Sequence, residues 1–297
     1  MKLATTTGDF GAYVSSQEEA VSRLHECGFR YIDYNFGKDY RTRTGVYQPE
    51  WQAYCSDMVE HAKRMGVKFV QAHSPMGKPF DEDNAAFIAD TARCIEACGL
   101  LGIPNIVVHS GYAPNVSVEE TMERNKAFYA PLLEVAEQYN VNILTENFNK
   151  MVFDDVFWID NATDLRALID YVDHPLFHAV WDAGHGNLQE MPQHEELAIL
   201  GRHVYALHVQ DNRGDRDSHL MPFQGTLNLD SLMFGLKNIG YDGYFTFEAD
   251  AMILGSRRPF PDDTRLAAVP MELKMMAEQL LYATGKHILT AYDCFEE

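Results

Sequence analysis

Ile143-Leu144-Thr145-Glu146-Asn147-Phe148 is a short apolar run that stops on a carboxylate. Three later runs repeat the pattern: Ala179-Val180-Trp181-Asp182, Tyr205-Ala206-Leu207-His208 and Phe245-Thr246-Phe247-Glu248. Each reads as a buried strand with one metal-capable or proton-transferring side chain at its C-terminal end. In a closed parallel barrel such ends converge on one face. Glu146, Asp182, His208 and Glu248 are therefore expected to hold a divalent metal there, and Glu146 and Glu248 also to move protons.

Working outward, strand-like and helix-like runs alternate eight times, at about 37 residues per unit, the scale of a βα repeat. The strands are expected at Leu3–Thr7, Arg30–Tyr34, Lys68–His73, Asn105–His109, Ile143–Phe148, a sixth run ending Trp181-Asp182-Ala183-Gly184-His185, Val204–Val209 and Tyr244–Ala249. Helices are expected between them. Ser15 or Ser16 caps the first, which Gly28 ends. The stretch with Arg41, Arg43 and Gly45 reads as a polar loop. A last helix is expected from Pro270 to Thr284, stopped by Gly285 and packing Leu273, Met276, Leu280 and Leu281 inward. Strands alternating with helices require a parallel sheet, because each crossover runs back over the sheet face. Eight units predict one (β/α)8 TIM barrel over residues 1–297, with 285–297 as a tail. An open doubly wound sheet would need a glycine-rich turn after the first strand, and none is present.

The chain has 297 residues, 46% of them hydrophobic, enough for one large core. No apolar run approaches the ~18 residues of a membrane span. Gly8-Asp9 interrupts the N-terminus before a signal-peptide core can form. The expectation is a soluble, cytoplasmic protein with no membrane partner. The five cysteines show no metal-knuckle or disulfide spacing and read as small buried thiols. The net charge of −20, with no visible basic cluster, argues against a nucleic-acid partner.

Metal-capable side chains sit at or just past the ends of strands three to eight: His73, His109, Glu146, Asp182, His185, His208, Asp217, His219 and Glu248. One histidine on an apolar strand is usually hydrogen-bonded packing, and a carboxylate after an apolar run is often a helix cap. A set spanning six strand ends is different. Charges gathered at the mouth of a core need partners, and one divalent cation satisfies several. Three carboxylates and an imidazole suit one Mn, Co, Zn or Mg ion.

As a set, Ala72-His73-Ser74, Val108-His109-Ser110-Gly111, Thr145-Glu146-Asn147, Trp181-Asp182-Ala183-Gly184-His185, His208-Val209-Gln210-Asp211, Asp217-Ser218-His219 with Gly225, and Phe247-Glu248 resemble the xylose isomerase-like barrel superfamily. Within it, they resemble the sugar phosphate isomerase/epimerase and endonuclease IV group. The endonuclease resemblance implies three zinc ions: one on His73, His109 and Glu146, a second on Glu146, Asp182, His208 and Glu248, a third on His185, Asp217 and His219. The sugar resemblance implies only the central site, with His73, His109, His185, Asp217 and His219 lining the substrate pocket. The acidic charge favours the sugar branch.

That branch implies a metal-dependent isomerase or epimerase of a sugar, sugar phosphate or keto-polyol. The metal polarises the carbonyl, a neighbouring C–H proton leaves, and an enediolate forms. Glu146 and Glu248 face the carbon from opposite sides, and His185 hydrogen-bonds the developing oxyanion. A keto-inositol-type dehydratase on the same barrel is the alternative; a three-zinc phosphodiesterase and a non-catalytic barrel are further ones. Resemblance also implies a homo-oligomer. The chain departs from ketose 3-epimerases acting on free sugars, which carry a glutamate where Val152 stands and an arginine where Gly214 stands; Arg213 or Arg216 are the substitutes in space. Arg41, Arg43, Lys150, Arg257 and Arg258 are further candidates to meet a phosphate or carboxylate. Phe148, Trp158, Trp181 and Phe223 are candidate walls for a sugar ring.

Overall fold

The structure, a computed structural model, describes residues 1–149, 156–253 and 269–297. Strands and helices alternate as β1 (Lys2–Thr6), α1 (Gln17–Glu26), β2 (Tyr31–Asn35), α2 (Gly37–Thr42), α3 (Trp51–Met65), β3 (Lys68–His73), α4 (Ala85–Leu101), β4 (Asn105–Val107) and α5 (Val118–Tyr139). They continue as β5 (Asn142–Glu146), α6 (Ala162–Val172), β6 (Phe177–Asp182), α7 (Ala183–Asn187), α8 (Gln193–Leu200), β7 (Val204–His208), α9 (Leu229–Asn238), β8 (Tyr244–Phe247) and α10 (Met271–Ala291). The eight strands are hydrogen-bonded in the order β7-β6-β5-β4-β3-β2-β1-β8. A parallel bridge between Val209 and Phe247 brings β7 to β8 and all but closes the ring. This is the expected (β/α)8 TIM barrel.

Local chemistry sets the helix starts. Ser16, Ser117, Asn161 and Asn228 each accept a backbone N–H of their own first turn, the role that short oxygen-bearing side chains play at helix starts. The faces turned to the barrel are apolar at helical spacing, as with Trp51, Cys55, Met58 and Ala62 on α3. Cys27, Cys55, Cys94 and Cys98 are buried free thiols; Cys294 is half-buried. The stretch read as a polar loop contains the short helix α2, which carries Arg41 at the barrel mouth.

The last helix departs from expectation. α10 runs past Gly285 to Ala291. A Cβ on Gly285 would stand 2.6 Å from Leu3 and 2.7 Å from Phe247, so this glycine permits close packing on the barrel rather than ending the helix. The face differs too. Leu281 is buried, but Leu273, Met276 and Leu280 are about half exposed. Lys274 and Glu278 take the inward positions, paired with each other and with no exposed surface. Asp9 lies beside them, its carboxylate accepting the Thr5 hydroxyl at 2.6 Å. The buried face of this helix thus carries a paired lysine and glutamate in its first half and Leu281, Ile288 and Leu289 beyond them.

Candidate metal centre and active site

Inside the barrel, Val107, Leu144, Val180 and Ala206 form one apolar layer. Side chains alternate along a strand, so two residues further on point to the same interior. Those positions are His109, Glu146, Asp182 and His208. On the other side of the ring the layer is polar: the Asp33 carboxylate accepts from Gln71 at 3.0 Å, and Gln71 accepts from Thr246 at 3.1 Å. Two residues beyond these are Asn35, His73 and Glu248. The site is thus the next layer of the barrel interior toward the strands' C-terminal ends. It floors a cavity of about 400 Å³.

Ligand-capable atoms of Glu146, Asp182, His208 and Glu248 all lie within 4.8 Å of one another. Two further groups meet the same condition: His73, Glu146 and His208, and His185, Asp217 and His219. Glu146 is buried and central. Its Oε2 accepts from His109 Nε2 at 2.8 Å and its Oε1 from His208 Nδ1 at 2.9 Å. His208 Nδ1 also stands 3.3 Å from Glu248 Oε2. Asp182 caps α7 by accepting the His185 N–H on Oδ1 at 2.7 Å. Asn147 pins the Asp182 backbone from both sides, at 2.8 and 2.9 Å. Helix cap and site carboxylate are therefore one residue. Gly184 is required beside it, because a Cβ there would lie 2.1 Å from Gln210.

The remaining polar residues complete the wall. His185 donates Nδ1–H to the Asn147 carbonyl at 2.7 Å, and its Nε2 faces Asp217 Oδ2 at 3.2 Å. His219 Nε2 faces that oxygen at 3.3 Å, while its Nδ1 donates to the Glu248 carbonyl at 2.9 Å. Gln210 donates to Asp217 Oδ1 at 2.8 Å. His73 donates Nδ1–H to the Ser74 carbonyl at 2.8 Å, leaving the Nε2 lone pair toward His109. Phe148 lines the cavity and packs edge-on against Trp158, with ring centres 4.5 Å apart. Trp181 is in the core and Phe223 is on the surface, so neither walls the cavity.

Charge sorts these groups. Burial alone would raise Glu146, but the His208 charge and the His109 hydrogen bond outweigh it and hold the carboxyl well below its ordinary range. Burial pushes Glu248 up to about 7, against the pull of His208 and His219. Burial also raises Asp182. His185 goes up to about 9, the desolvation cost being exceeded by Asp182 and Asp217. Burial, with His109 adding to it, takes His73 down to about 4.

A divalent ion fits this donor set. Metal–oxygen and metal–nitrogen bonds of about 2.0–2.2 Å put opposite ligands about 4 Å apart, so the quartet needs only a small contraction. Asp182 Oδ2, fully buried, has no hydrogen-bond partner among the described residues. A buried carboxylate oxygen left so is costly unless a cation meets it.

Of the residues singled out from sequence, the four expected ligands meet one another, and His73, His109, His185, Asp217 and His219 stand around them. Arg213 and Arg216 are exposed and lie away from the cavity lining. Arg43 is spent on Asp90, in a two-pronged pair at 2.8 and 3.0 Å. Arg41 lines the cavity. Lys150, Val152, Arg257 and Arg258 lie outside the described residues. Asp33, Gln71 and Thr246, beneath His208, were not anticipated. A charged residue between Ile32 and Tyr34 in a buried strand was the available signal.

Residues 21–271 match the family model of the xylose isomerase-like TIM barrel. An uncharacterized protein of Methanocaldococcus jannaschii is 30% identical over 184 residues, covering 57% of this chain and 62% of that protein, so the chain spans less than two thirds of that relative. The fructoselysine 3-epimerase of Escherichia coli O157:H7 is 26% identical over 215 residues, 71% of this chain and 70% of that one. In fold, the D-psicose 3-epimerase of Clostridium cellulolyticum H10, solved with D-tagatose, superposes with a TM-score of 0.76 at 14% identity, covering 97% of this chain and 99% of that one. No helix among the described residues is long and apolar enough to cross a membrane. On the match across most of its length, the chain belongs to the xylose isomerase-like TIM barrel family.

Proposed function

We propose that this protein is a divalent-metal-dependent epimerase or isomerase of a sugar, sugar phosphate or keto-polyol, working by proton transfer at the carbon beside a carbonyl. The observation that carries the reading is the pair Glu146 and Glu248. Both approach His208 Nδ1, at 2.9 and 3.3 Å, one at the end of β5 and the other just past β8, and both line the same cavity. Two carboxylates converging on one cavity can serve as an acid–base pair, one taking a proton from carbon and the other returning one. Similarity to a fructoselysine 3-epimerase supports the same class of reaction.

Glu146, Asp182, His208 and Glu248 would hold the metal, which when bound supplies a Lewis acid for the carbonyl. The chain's own groups do the rest. Glu146 takes the proton from carbon, and Glu248 returns one on the other face for epimerisation. His185, charged and fixed through Nδ1 to Asn147 and through Nε2 to Asp217, lines the cavity and sets positive charge beside the negative charge growing on the substrate oxygen. Asp217 orients His185 and His219 together. Phe148 and Met76 line the cavity, limiting water there.

The test is solvent deuterium uptake by a panel of ketoses, keto-inositols and their phosphates, with metal-loaded protein in heavy water. Label should enter beside the carbonyl in a product otherwise unchanged in mass, and Glu146→Gln and Glu248→Gln should each abolish it. A product lighter by one water would indicate a dehydratase. Absence of exchange from every compound would contradict the proposal.

A further inference from the structure

A second, smaller chamber of about 90 Å³ opens beside the main cavity, on the β1–β2 side of the mouth. Asn35 and Arg41 line both, so the two spaces share a wall. The main cavity is floored by Glu146, Asp217 and Glu248 with histidines around them, while the arginine and lysine side chains among the described lining of either space are Arg41 and Lys38.

These two cations are not spent elsewhere. Arg23, Arg43, Arg93, Arg124 and Arg166 each hold a carboxylate. Arg41 makes no ion pair or side-chain hydrogen bond among the described residues. It folds back over Gly37, where a Cβ would meet its Nη1 at 3.3 Å. Lys38 is half-buried and anchored by donating to the Val14 carbonyl, which leaves two of its three N–H donors. Its neighbour Asp39 is buried and turned onto the Tyr34 hydroxyl at 3.4 Å. Asp250, the carboxylate lining the chamber, faces His219 Nδ1 at 3.8 Å.

We propose that the substrate carries an anionic group remote from its reacting carbons, a carboxylate or a phosphate, and that Arg41 and Lys38 hold it in this side chamber. A neutral sugar needs hydroxyl-bonding partners, not two uncommitted cations in a protein of net charge −20. The guanidinium fork suits the two oxygens of either anion, and the ammonium adds a point charge. At less than a quarter of the main cavity's volume, the chamber suits one small group, not a second ring. This inference rests on the proposed chemistry, since it puts the charged end of the same substrate opposite the carboxylate pair.

Two measurements test it. The first compares deuterium exchange from ketoses with and without a terminal phosphate or carboxylate, on the wild type and on Arg41→Ala and Lys38→Met. Anionic compounds should exceed neutral ones in kcat/KM by about tenfold or more, chiefly through KM, and the preference should collapse in the variants. Whichever anion shows the larger preference identifies the group. Neutral ketoses performing as well as anionic ones would overturn the inference and leave the proposed reaction standing. The second is equilibrium binding of inorganic phosphate, which needs no turnover. Binding about tenfold weaker in Arg41→Ala supports the subsite even if no compound in the panel reacts. Equal binding in wild type and variant overturns it.

Discussion

The Nε2 atom of His208 lies 3.4 Å from Oδ2 of Asp33, while its Nδ1 faces Glu146. Asp33 itself is fixed by Gln71, which is fixed by Thr246. A carboxylate behind a ligating histidine sets which nitrogen is offered to the metal and raises its basicity. Asp33→Asn is therefore expected to weaken divalent-metal affinity by about 10–100-fold while the protein stays folded. Competition against a metal-sensing chelator checks this. Unchanged affinity would detach Asp33 from the centre.

Asp182 serves two purposes that one substitution separates. Asn is as good a helix cap as Asp, so Asp182→Asn keeps the bond to the His185 N–H. It removes the buried charge aimed at the quartet. The expected result is a metal-free Tm no lower than wild type, with loss of bound metal and of exchange activity. A large fall in Tm would mean the residue is structural.

The ion pair under α10 should resist single changes more than double ones. Lys274→Met leaves Glu278 buried beside Asp9 with no cation, which costs about 3–5 kcal/mol. Lys274→Met with Glu278→Leu removes both charges and should recover much of that loss. Denaturant midpoints of wild type, single and double variants give the order. A double variant less stable than the single would contradict this account of the helix.

Stability should also report on Asp39. Burial raises its folded pKa from the ordinary 3.8 to about 6. The folded state thus binds that proton more tightly than the unfolded chain, so the contribution is complete below pH ~4 and is lost as pH rises through ~6. Asp39→Asn has no such loss. It should match wild type near pH 4 and exceed it at pH 8 by at most about 3 kcal/mol, a few degrees in Tm. Thermal melts across that range decide, and a constant difference would refute it.

The barrel and the residues at its mouth were legible because each strand is an apolar run broken by one polar side chain, and parallel strands bring such breaks to one face. Glu146, Asp182, His208 and Glu248 follow that rule. Asp33 and Gln71 lie two residues earlier on their strands, inside the barrel, where apolar residues are expected. Their partners come from strands distant in sequence, so spacing did not reveal them. In α10 the helical period pointed to Leu273, Met276 and Leu280, whereas the interior holds Lys274 and Glu278, where each neutralises the other beside Asp9. Arg41 and Arg43 are indistinguishable by type. Only the fold shows that one is paired with Asp90 and the other stands in the cavity wall.

The most direct test of the central claim is metal content per chain, by elemental analysis of protein purified without chelator. The account predicts about one divalent ion on the wild type and close to none on Asp182→Asn. No ion, even after reconstitution with Mn, Co, Zn and Mg, would contradict a metal-dependent proton transfer. About three zinc ions per chain would instead match the three ligand groups and point to a phosphodiesterase.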